Sequence, residues 1–154
     1  MSKPDRRYWD SCAFLGWFKN EPDKVAECES VIRAAERGSV EIVTSAVTLT
    51  EVVRLKGLPR LPESDEKIIR DFFEQPYILV ANLDRFVAEH ARQLCWQFDS
   101  LKPKDALHLA SAIETECPNL DTFDADLIGL NGKLSGVMIH IDRPKLPVQV
   151  GFDV

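Results

Sequence analysis

Apolar and polar positions along the chain follow two different spacings. Short apolar runs typical of strands occur at "RRYW" (6–9), "VEIVTS" (40–45) and "YILVAN" (77–82), and the last of these predicts a short buried strand. Between them lie longer segments in which apolar residues recur every three or four positions, as they do on one face of an amphipathic helix. The pattern therefore predicts strands and helices in alternation.

Five segments carry the helical spacing, and several also carry signals for where a helix begins or ends. The helix "DKVAECESVIRAAERG" is stopped by Gly38. Ser45 is a good N-cap for "AVTLTEVVRLKG", which Gly57 closes. The other predicted helices are "ESDEKIIRDFFEQ" (63–75), "DRFVAEHARQLCWQF" (84–98) and a segment from Pro103 through about Glu116.

The last strand candidates are "LDTF" (120–123) and "VMIHID" (137–142). Strands that alternate with helices imply a mainly parallel sheet covered on both faces, which is a three-layer α/β/α fold. Ligands of such folds bind beyond the carboxyl ends of the strands. We expect one domain over residues 1–154, with residues 144–154 forming a surface tail.

The composition is that of an ordinary globular protein, with 45% hydrophobic and 29% charged residues in a chain of 154. No apolar run approaches the ~18 residues that a membrane helix requires. The segment "CAFLGWF" follows basic residues as in a signal peptide, but acids interrupt it and no small-residue cleavage site follows. We therefore expect folded structure there, in a cytoplasmic protein.

The cysteines and histidines are scattered along the chain. The four cysteines contain no CxxC pair, so neither a zinc site nor a disulfide framework is indicated, and reduced, packed thiols are expected. His108, in the apolar stretch "DALHLA", is interpreted as a hydrogen-bonded core residue in preference to a metal ligand.

Five acidic residues fall at predicted strand ends or in helices that follow strands. Because these places lie along one edge of a parallel sheet, we expect the acids to converge. Asp105 is placed third in its helix, since Pro103 suits the first helical position. The five acids are Asp10, Glu51, Asp105, Asp124 and Asp126.

Four of these acids also have structural explanations, which the sequence leaves open. Glu51 follows Thr48 by three residues, the spacing of a capping box. Asp105 is favoured at a helix N-terminus by the helix dipole. Either Asp124 or Asp126 would cap the short helix that follows "LDTF".

Asp10 lies inside an apolar stretch, where no helix or turn chemistry is expected to require an acid. Burying an unpaired carboxylate costs several kcal/mol, so a partner is expected. Clustered carboxylates need a cation, and Mg²⁺ or Mn²⁺ suits a site made only of oxygen ligands. Such ions activate water and stabilise charge on a phosphate, which predicts phosphodiester hydrolysis. Asp10, Glu51, Asp105 and Asp124 are assigned to catalysis and to the metal, with Asp126 as a weaker ligand.

Polar and basic residues near these acids complete the predicted site. Ser11, Ser45 and Thr122 flank the acids and would orient them by hydrogen bonds, although all three equally suit strand ends or caps. The net charge of −6 opposes attraction to nucleic acid, but removing the five acids leaves −6 + 5 = −1. Phosphate contacts, for which a solvated basic surface is an equal alternative, are assigned to Arg54, Lys56, Arg60, Lys102 and Lys104.

Four segments in this order resemble the PIN domain, and most closely its VapC-type ribonuclease toxins. They are "YWDSCAFL", "TSAVTLTEVVR", "PKDALHLASA" and "DTFDADL", which carry the five acids. The resemblance implies an α/β/α fold and Mg²⁺- or Mn²⁺-dependent cleavage of RNA. It also implies a homodimer and inhibition by a small antitoxin protein.

The function predicted from these observations is that of a metal-dependent endoribonuclease in which water is the nucleophile, acting as the toxin of a toxin–antitoxin pair. Two alternatives remain. One is a catalytically weak PIN-like module that binds RNA or a protein. The other is a DNA nuclease or phosphatase that uses the same metal site.

Overall fold

A computed structural model of the protein describes residues 3–53 and 59–146. Its centre is a sheet of five strands in the order β3-β2-β1-β4-β5, and all four strand pairs are parallel. The strands are β1 (Asp5–Trp9), β2 (Val40–Ser45), β3 (Ile78–Ala81), β4 (Asn119–Asp121) and β5 (His140–Asp142).

Helices cover both faces of this sheet, so the predicted three-layer α/β/α fold is confirmed. They are α1 (Ser11–Phe18), α2 (Val25–Glu36), α3 (Ala46–Glu51), α4 (Glu66–Phe73), α5 (Arg85–Gln97), α6 (Pro103–Glu114) and α7 (Ala125–Ile128), with a 3₁₀ turn at Glu63–Asp65 before α4. Within the described parts of the chain, no helix has the length and apolarity required to cross a membrane.

Successive strand residues point to opposite faces of the sheet and divide the core into two layers. Trp9 and Ile42 pack with apolar residues of α1 and α2 on one face. Tyr8 and Val43 pack with residues of α5 and α6 on the other. Because β1 is the central strand, the residue that follows it is delivered to the middle of the carboxyl edge of the sheet.

Helix α3 is shorter than the pattern predicted. It ends at Glu51, where Val52 leaves the helical conformation with φ −79° and ψ 65°. Val52 and Val53 are β-branched, and such side chains lose rotamer freedom in a helix. The predicted stop at Gly57 lies outside the described residues. Glu51 is therefore the last residue of its helix.

Strand β3 was expected to be buried, and this prediction is wrong. It pairs only with β2 at the edge of the sheet. Ile78 is buried, whereas Leu79 is 40% exposed, because a single layer of neighbours covers an edge strand. The predicted surface tail stays a prediction, since residues 147–154 lie outside the described range.

Candidate active site

Asp10 lies where β1 passes into α1, and its side chain is buried. One carboxylate oxygen, Oδ1, accepts a hydrogen bond from the Ala13 backbone N–H at 3.1 Å and so caps α1. The other, Oδ2, accepts from the Thr122 hydroxyl at 2.5 Å. The expectation that no cap chemistry requires an acid at this position is wrong. Both partners are neutral, however, so they solvate the negative charge without cancelling it.

Asp105 and Asp124 approach each other from different segments. Asp105 is the third residue of α6, after Pro103, as predicted. Asp124 precedes α7 and caps it, accepting from the Asp126 backbone N–H at 3.0 Å. Burial raises the pKa of Asp105 to about 7, and the charge of Asp124, a hydrogen bond with it and the charge of Asp10 contribute to this. These three aspartates therefore lie within electrostatic reach of one another.

The pKa of Asp10 is also raised, and its causes describe the same cluster. Burial is the largest cause, and the charge of Asp124 adds to it. The nearby His108 and the hydrogen bonds from Thr122 and Ala13 act in the opposite direction. Near these three carboxylates His108 supplies at most one positive charge, so negative charge remains in excess, and such a site favours a bound cation.

Glu51 enters the site differently from the aspartates. Its Oε1 lies 2.7 Å from Nε2 of His108, whose Nδ1 lies 2.8 Å from the Tyr8 hydroxyl. The capping-box alternative for Glu51 is excluded, because Thr48 lies inside α3 and Ser45 is the residue that caps the helix. His108 is buried with both ring nitrogens bonded, as the sequence predicted for a core residue.

The remaining predicted acid and hydroxyl residues hold peripheral positions. Asp126 is exposed, and its backbone N–H supports Asp124. Ser45 accepts from the Val47 N–H at 3.2 Å as the cap of α3, while Ser11 is half-buried at the start of α1. Of the three hydroxyl residues assigned to orient the acids, Thr122 is the one that bonds to an acid of the cluster.

The predicted phosphate-contacting residues are exposed where the structure describes them. Lys102 and Lys104 precede Asp105 at the N-terminus of α6. Arg60 lines a groove of about 690 Å³ together with Val53 and other residues that follow α3. Two further residues of this set, Arg54 and Lys56, lie outside the described residues.

The sequence over residues 7–133 matches the PIN domain. This chain belongs to the PIN domain family. The resemblance found in its four motif segments is thereby confirmed. No curated protein matches the chain.

Three solved structures that share this fold are toxins or complexes that contain a toxin and an antitoxin. VapC20 of Mycobacterium tuberculosis, a sarcin-ricin loop cleaving toxin, aligns with a TM-score of 0.58 and 15% identity over 78% of this chain and 91% of that chain. A toxin–antitoxin complex from Klebsiella pneumoniae aligns with a TM-score of 0.57 and 20% identity over 80% of this chain and 92% of that chain. VapBC2 of Rickettsia felis, bound to a DNA fragment from its promoter, aligns with a TM-score of 0.60 and 14% identity over 88% of this chain and 98% of that chain. The TM-scores show similarity of fold at these low identities.

The donor atoms of this PIN domain suit a hard divalent cation. Among residues 3–53 and 59–146, no three His, Cys, Asp or Glu side chains are grouped closely enough to hold a metal ion as they are placed. Asp10, Asp105 and Asp124 are nevertheless near enough that the charge of Asp124 raises the pKa of the other two. Together they offer carboxylate oxygens and an excess of negative charge. Oxygen ligands of this kind fit Mg²⁺ or Mn²⁺ better than softer metals.

The contacts of His108 and Tyr8 were not foreseen as part of the site. His108 follows Asp105 by three positions on α6, a spacing that places both on one helix face. Thr44 was also missed: its hydroxyl donates to the backbone carbonyl of Trp9 at 2.7 Å, which ties β2 to the end of β1. The helical spacing from Asp105 was the available signal for His108, whereas the other two contacts arise only from packing.

Proposed function

We propose that this PIN domain is a metal-dependent endoribonuclease and the toxin of a toxin–antitoxin pair, acting in the cytoplasm. The observation that carries this proposal is the mutual approach of Asp10, Asp105 and Asp124 at the carboxyl edge of the sheet. The chain is proposed to be a single domain over residues 1–154, with residues 144–154 as a surface tail.

In the proposed chemistry the five acids hold a divalent cation to different degrees. A bound Mg²⁺ or Mn²⁺ would lower the pKa of a water and stabilise charge developing on the phosphate. Asp10, Asp105 and Asp124 would hold this ion, with Glu51 joining from the end of α3 and Asp126 contributing more weakly from the rim. The hydrogen bonds that Thr122 and Ala13 donate fix the carboxylate of Asp10 in one orientation.

The substrate is proposed to be RNA, held by phosphate contacts around the acids. Lys102 and Lys104 are the nearest exposed cations along the chain to Asp105, and Arg60 lines the groove that Val52 and Val53 enter directly after Glu51. Contacts of this kind position a nucleic acid backbone without reading its sequence. Arg54 and Lys56 remain assigned to the same role on sequence grounds.

A small antitoxin protein and a second copy of the chain are the proposed partners. The similarity in fold to toxin–antitoxin complexes from Klebsiella pneumoniae and Rickettsia felis supports an antitoxin. The resemblance to VapC-type toxins supports a homodimer. Co-expression of the chain with the product of an adjacent small gene, followed by size-exclusion chromatography with light scattering, tests both partners.

The function is tested with purified chain, a structured RNA, single-stranded RNA, single-stranded DNA and a phosphomonoester. We expect cleavage of RNA that requires added Mg²⁺ or Mn²⁺ and stops with excess EDTA. Equal cleavage in EDTA would refute the metal-dependent mechanism. Preference for DNA or for the phosphomonoester would identify a different hydrolase that uses the same acids.

The bond between Glu51 and His108 favours a second candidate, a PIN-like module that binds RNA or a partner without cleaving. In this arrangement one oxygen of Glu51 is already engaged by a protein side chain. Such a module would retain RNA in a filter-binding assay, and added Mn²⁺ would produce no cleavage. A titration of metal against both binding and cleavage therefore separates the two candidates.

A further inference from the structure

A buried chain of hydrogen bonds links the central strand to Glu51. The Tyr8 hydroxyl lies 2.8 Å from Nδ1 of His108, and Nε2 of His108 lies 2.7 Å from Oε1 of Glu51. Tyr8 is 0% exposed and His108 is 2% exposed, so water does not compete for either ring nitrogen. The sequence pattern assigned neither residue a role in the site.

The two partners of His108 determine which of its nitrogens donates to Glu51. The phenol of Tyr8 keeps its hydrogen near neutral pH and can donate or accept, whereas the ionised carboxylate of Glu51 can only accept. Nε2 of His108 therefore donates to Glu51, and in a neutral imidazole Nδ1 then accepts from the Tyr8 phenol. A charged imidazole also carries a proton on Nε2. In both states, His108 donates to the carboxylate of Glu51.

Glu51 needs such a partner because its own helix constrains it weakly. Helix α3 has six residues, and the backbone turns away directly after Glu51. Its side chain has several rotatable bonds, which lose rotamer freedom when the carboxylate is held in one place. By contrast, α6 has twelve residues and carries both Asp105 and His108, so it can fix Glu51 relative to Asp105.

We infer that His108 is a positioning residue, which holds Glu51 beside the aspartate cluster while Tyr8 fixes the orientation of the imidazole. The bond to His108 uses one oxygen of Glu51 and leaves the other for a cation. This inference rests on the proposed metal site. The two hydrogen bonds from Tyr8 to His108 and from His108 to Glu51 then serve to hold Glu51 toward the cation, and do more than pack α6 against the sheet.

Two substitutions at position 108 separate positioning from packing. In His108→Gln the side-chain amide reaches the place of Nε2 and can still donate to Glu51. In His108→Asn the amide reaches only the place of Nδ1, next to Tyr8. We expect His108→Asn to weaken Mn²⁺ binding roughly 10- to 100-fold, the range for residues that orient metal ligands, and His108→Gln to stay within about 3-fold of wild type. Calorimetric titration of Mn²⁺ into the chain without RNA measures this.

A double substitution shows whether His108 acts through Glu51. In a Glu51→Ala background, we expect His108→Asn to cause no further loss of Mn²⁺ affinity, because the carboxylate that His108 holds has already been removed. An equal loss in both backgrounds would overturn the inference. So would wild-type Mn²⁺ affinity in a folded His108→Asn chain, with folding checked by thermal unfolding. If wild-type chain binds Mn²⁺ but cleaves no RNA, the proposed function fails, while these affinities still test the inference.

Tyr8→Phe provides a second route if His108→Asn does not fold. It removes the outer hydrogen bond and keeps the aromatic ring in the core. We expect Mn²⁺ affinity to fall roughly 2- to 10-fold, a smaller loss than that caused by removing the donor to Glu51 itself. Unchanged Mn²⁺ affinity in a folded Tyr8→Phe chain would overturn the role assigned to this chain of bonds.

Discussion

Two buried aspartates at the ends of neighbouring strands meet opposite electrostatic surroundings. Asp121 ends β4 and is 1% exposed; its two oxygens accept from Arg7 at 2.8 and 2.7 Å, and Trp9 Nε1 donates at 2.9 Å. Asp10 follows β1 and is 2% exposed, yet its hydrogen bonds come from a hydroxyl and a backbone amide. One charge is cancelled within the chain, and the other is not.

This difference separates structural from functional burial of charge. A carboxylate that is paired in the interior contributes to a fixed fold, because the chain itself supplies its counter-charge. A carboxylate held by neutral donors and facing other carboxylates is unfavourable unless something outside the chain compensates it. Asp121 belongs to the first kind. Asp10, with Asp105 and Asp124, belongs to the second.

The largest effect is expected from Asp10→Asn. We expect RNA cleavage to fall roughly 100- to 1,000-fold or more, because the proposed metal site loses its most buried acid. The free energy of unfolding should stay equal or rise slightly, since Asn also caps helices well and relieves the repulsion from Asp124. Steady-state cleavage and urea denaturation of the same preparation measure both. If Asp10→Asn lost its folding together with its activity, Asp10 would resemble Asp121 in supporting the fold, and the contrast between the two aspartates would fail.

The matched substitution Asp121→Asn should act on stability. It leaves the buried guanidinium of Arg7 without its counter-charge, which costs about 3–5 kcal/mol of free energy of unfolding. Urea denaturation measures the loss. The control replaces both partners, Arg7→Met with Asp121→Leu, and should cost less, because no unpaired charge is left buried. If Asp121→Asn folds as stably as wild type, neutralisation by Arg7 is not what keeps Asp121 in the interior.

A smaller effect concerns pH. Burial and neighbouring acids raise the pKa of Asp105 from 3.8 to about 7, so between these values the folded chain binds more protons than the unfolded chain. The free energy of unfolding therefore falls as pH rises through this window and levels off above pH 7. Burial raises the pKa of Asp121 only to about 6, so Asp121 contributes little over the interval from pH 6 to 8, and a variant separates Asp105 from Asp10, whose pKa burial also raises.

Over that interval we expect a fall of about 0.5–1 kcal/mol in EDTA, below the 1.4 kcal/mol of a full pKa unit because Asp105 is only half-buried. Urea denaturation at pH 6, 7 and 8 measures it. Saturating Mg²⁺ should remove the fall, since a cation favours ionised carboxylates. Asp105→Asn should also remove it, and an unchanged pH dependence in this variant would assign the effect to another group.

The parts of this structure that sequence could predict are those set by local spacing. Strands β1 and β2 follow from apolar runs, and the place of Asp105 follows from Pro103 two residues before it. The capping role of Asp10 was equally local, because its carboxylate bonds the N–H three residues later. This role was not predicted, because the interpretation of Asp10 was based on its apolar neighbours, which indicate burial.

Contacts between distant segments were beyond such reasoning. Glu51 and His108 are 57 positions apart, and Tyr8 and His108 are 100 apart. Nothing periodic in the sequence relates these residues, since their contact depends on how α6 packs over β1 and β2. The ion pair of Arg7 with Asp121 spans 114 positions and was likewise unforeseen. The sequence predicted that the acids lie at the carboxyl edge of the sheet. It did not predict the side chains that bond to Glu51 and Asp121.

The smallest expected effect belongs to the exposed cations around the acids, which should change substrate binding alone. We expect the double variant Lys102→Ala/Lys104→Ala to raise the KM for RNA roughly 3- to 10-fold at low salt, with kcat unchanged. The slope of log affinity against log salt should fall by about 1.4, the value for two contacts to a single strand. The double variant Arg33→Ala/Arg37→Ala is the control, because it also removes two positive charges and α2 ends at the opposite edge of the sheet from Asp10. An equal change in KM for this control would mean that overall charge governs binding, and that the acids have no local phosphate site beside them.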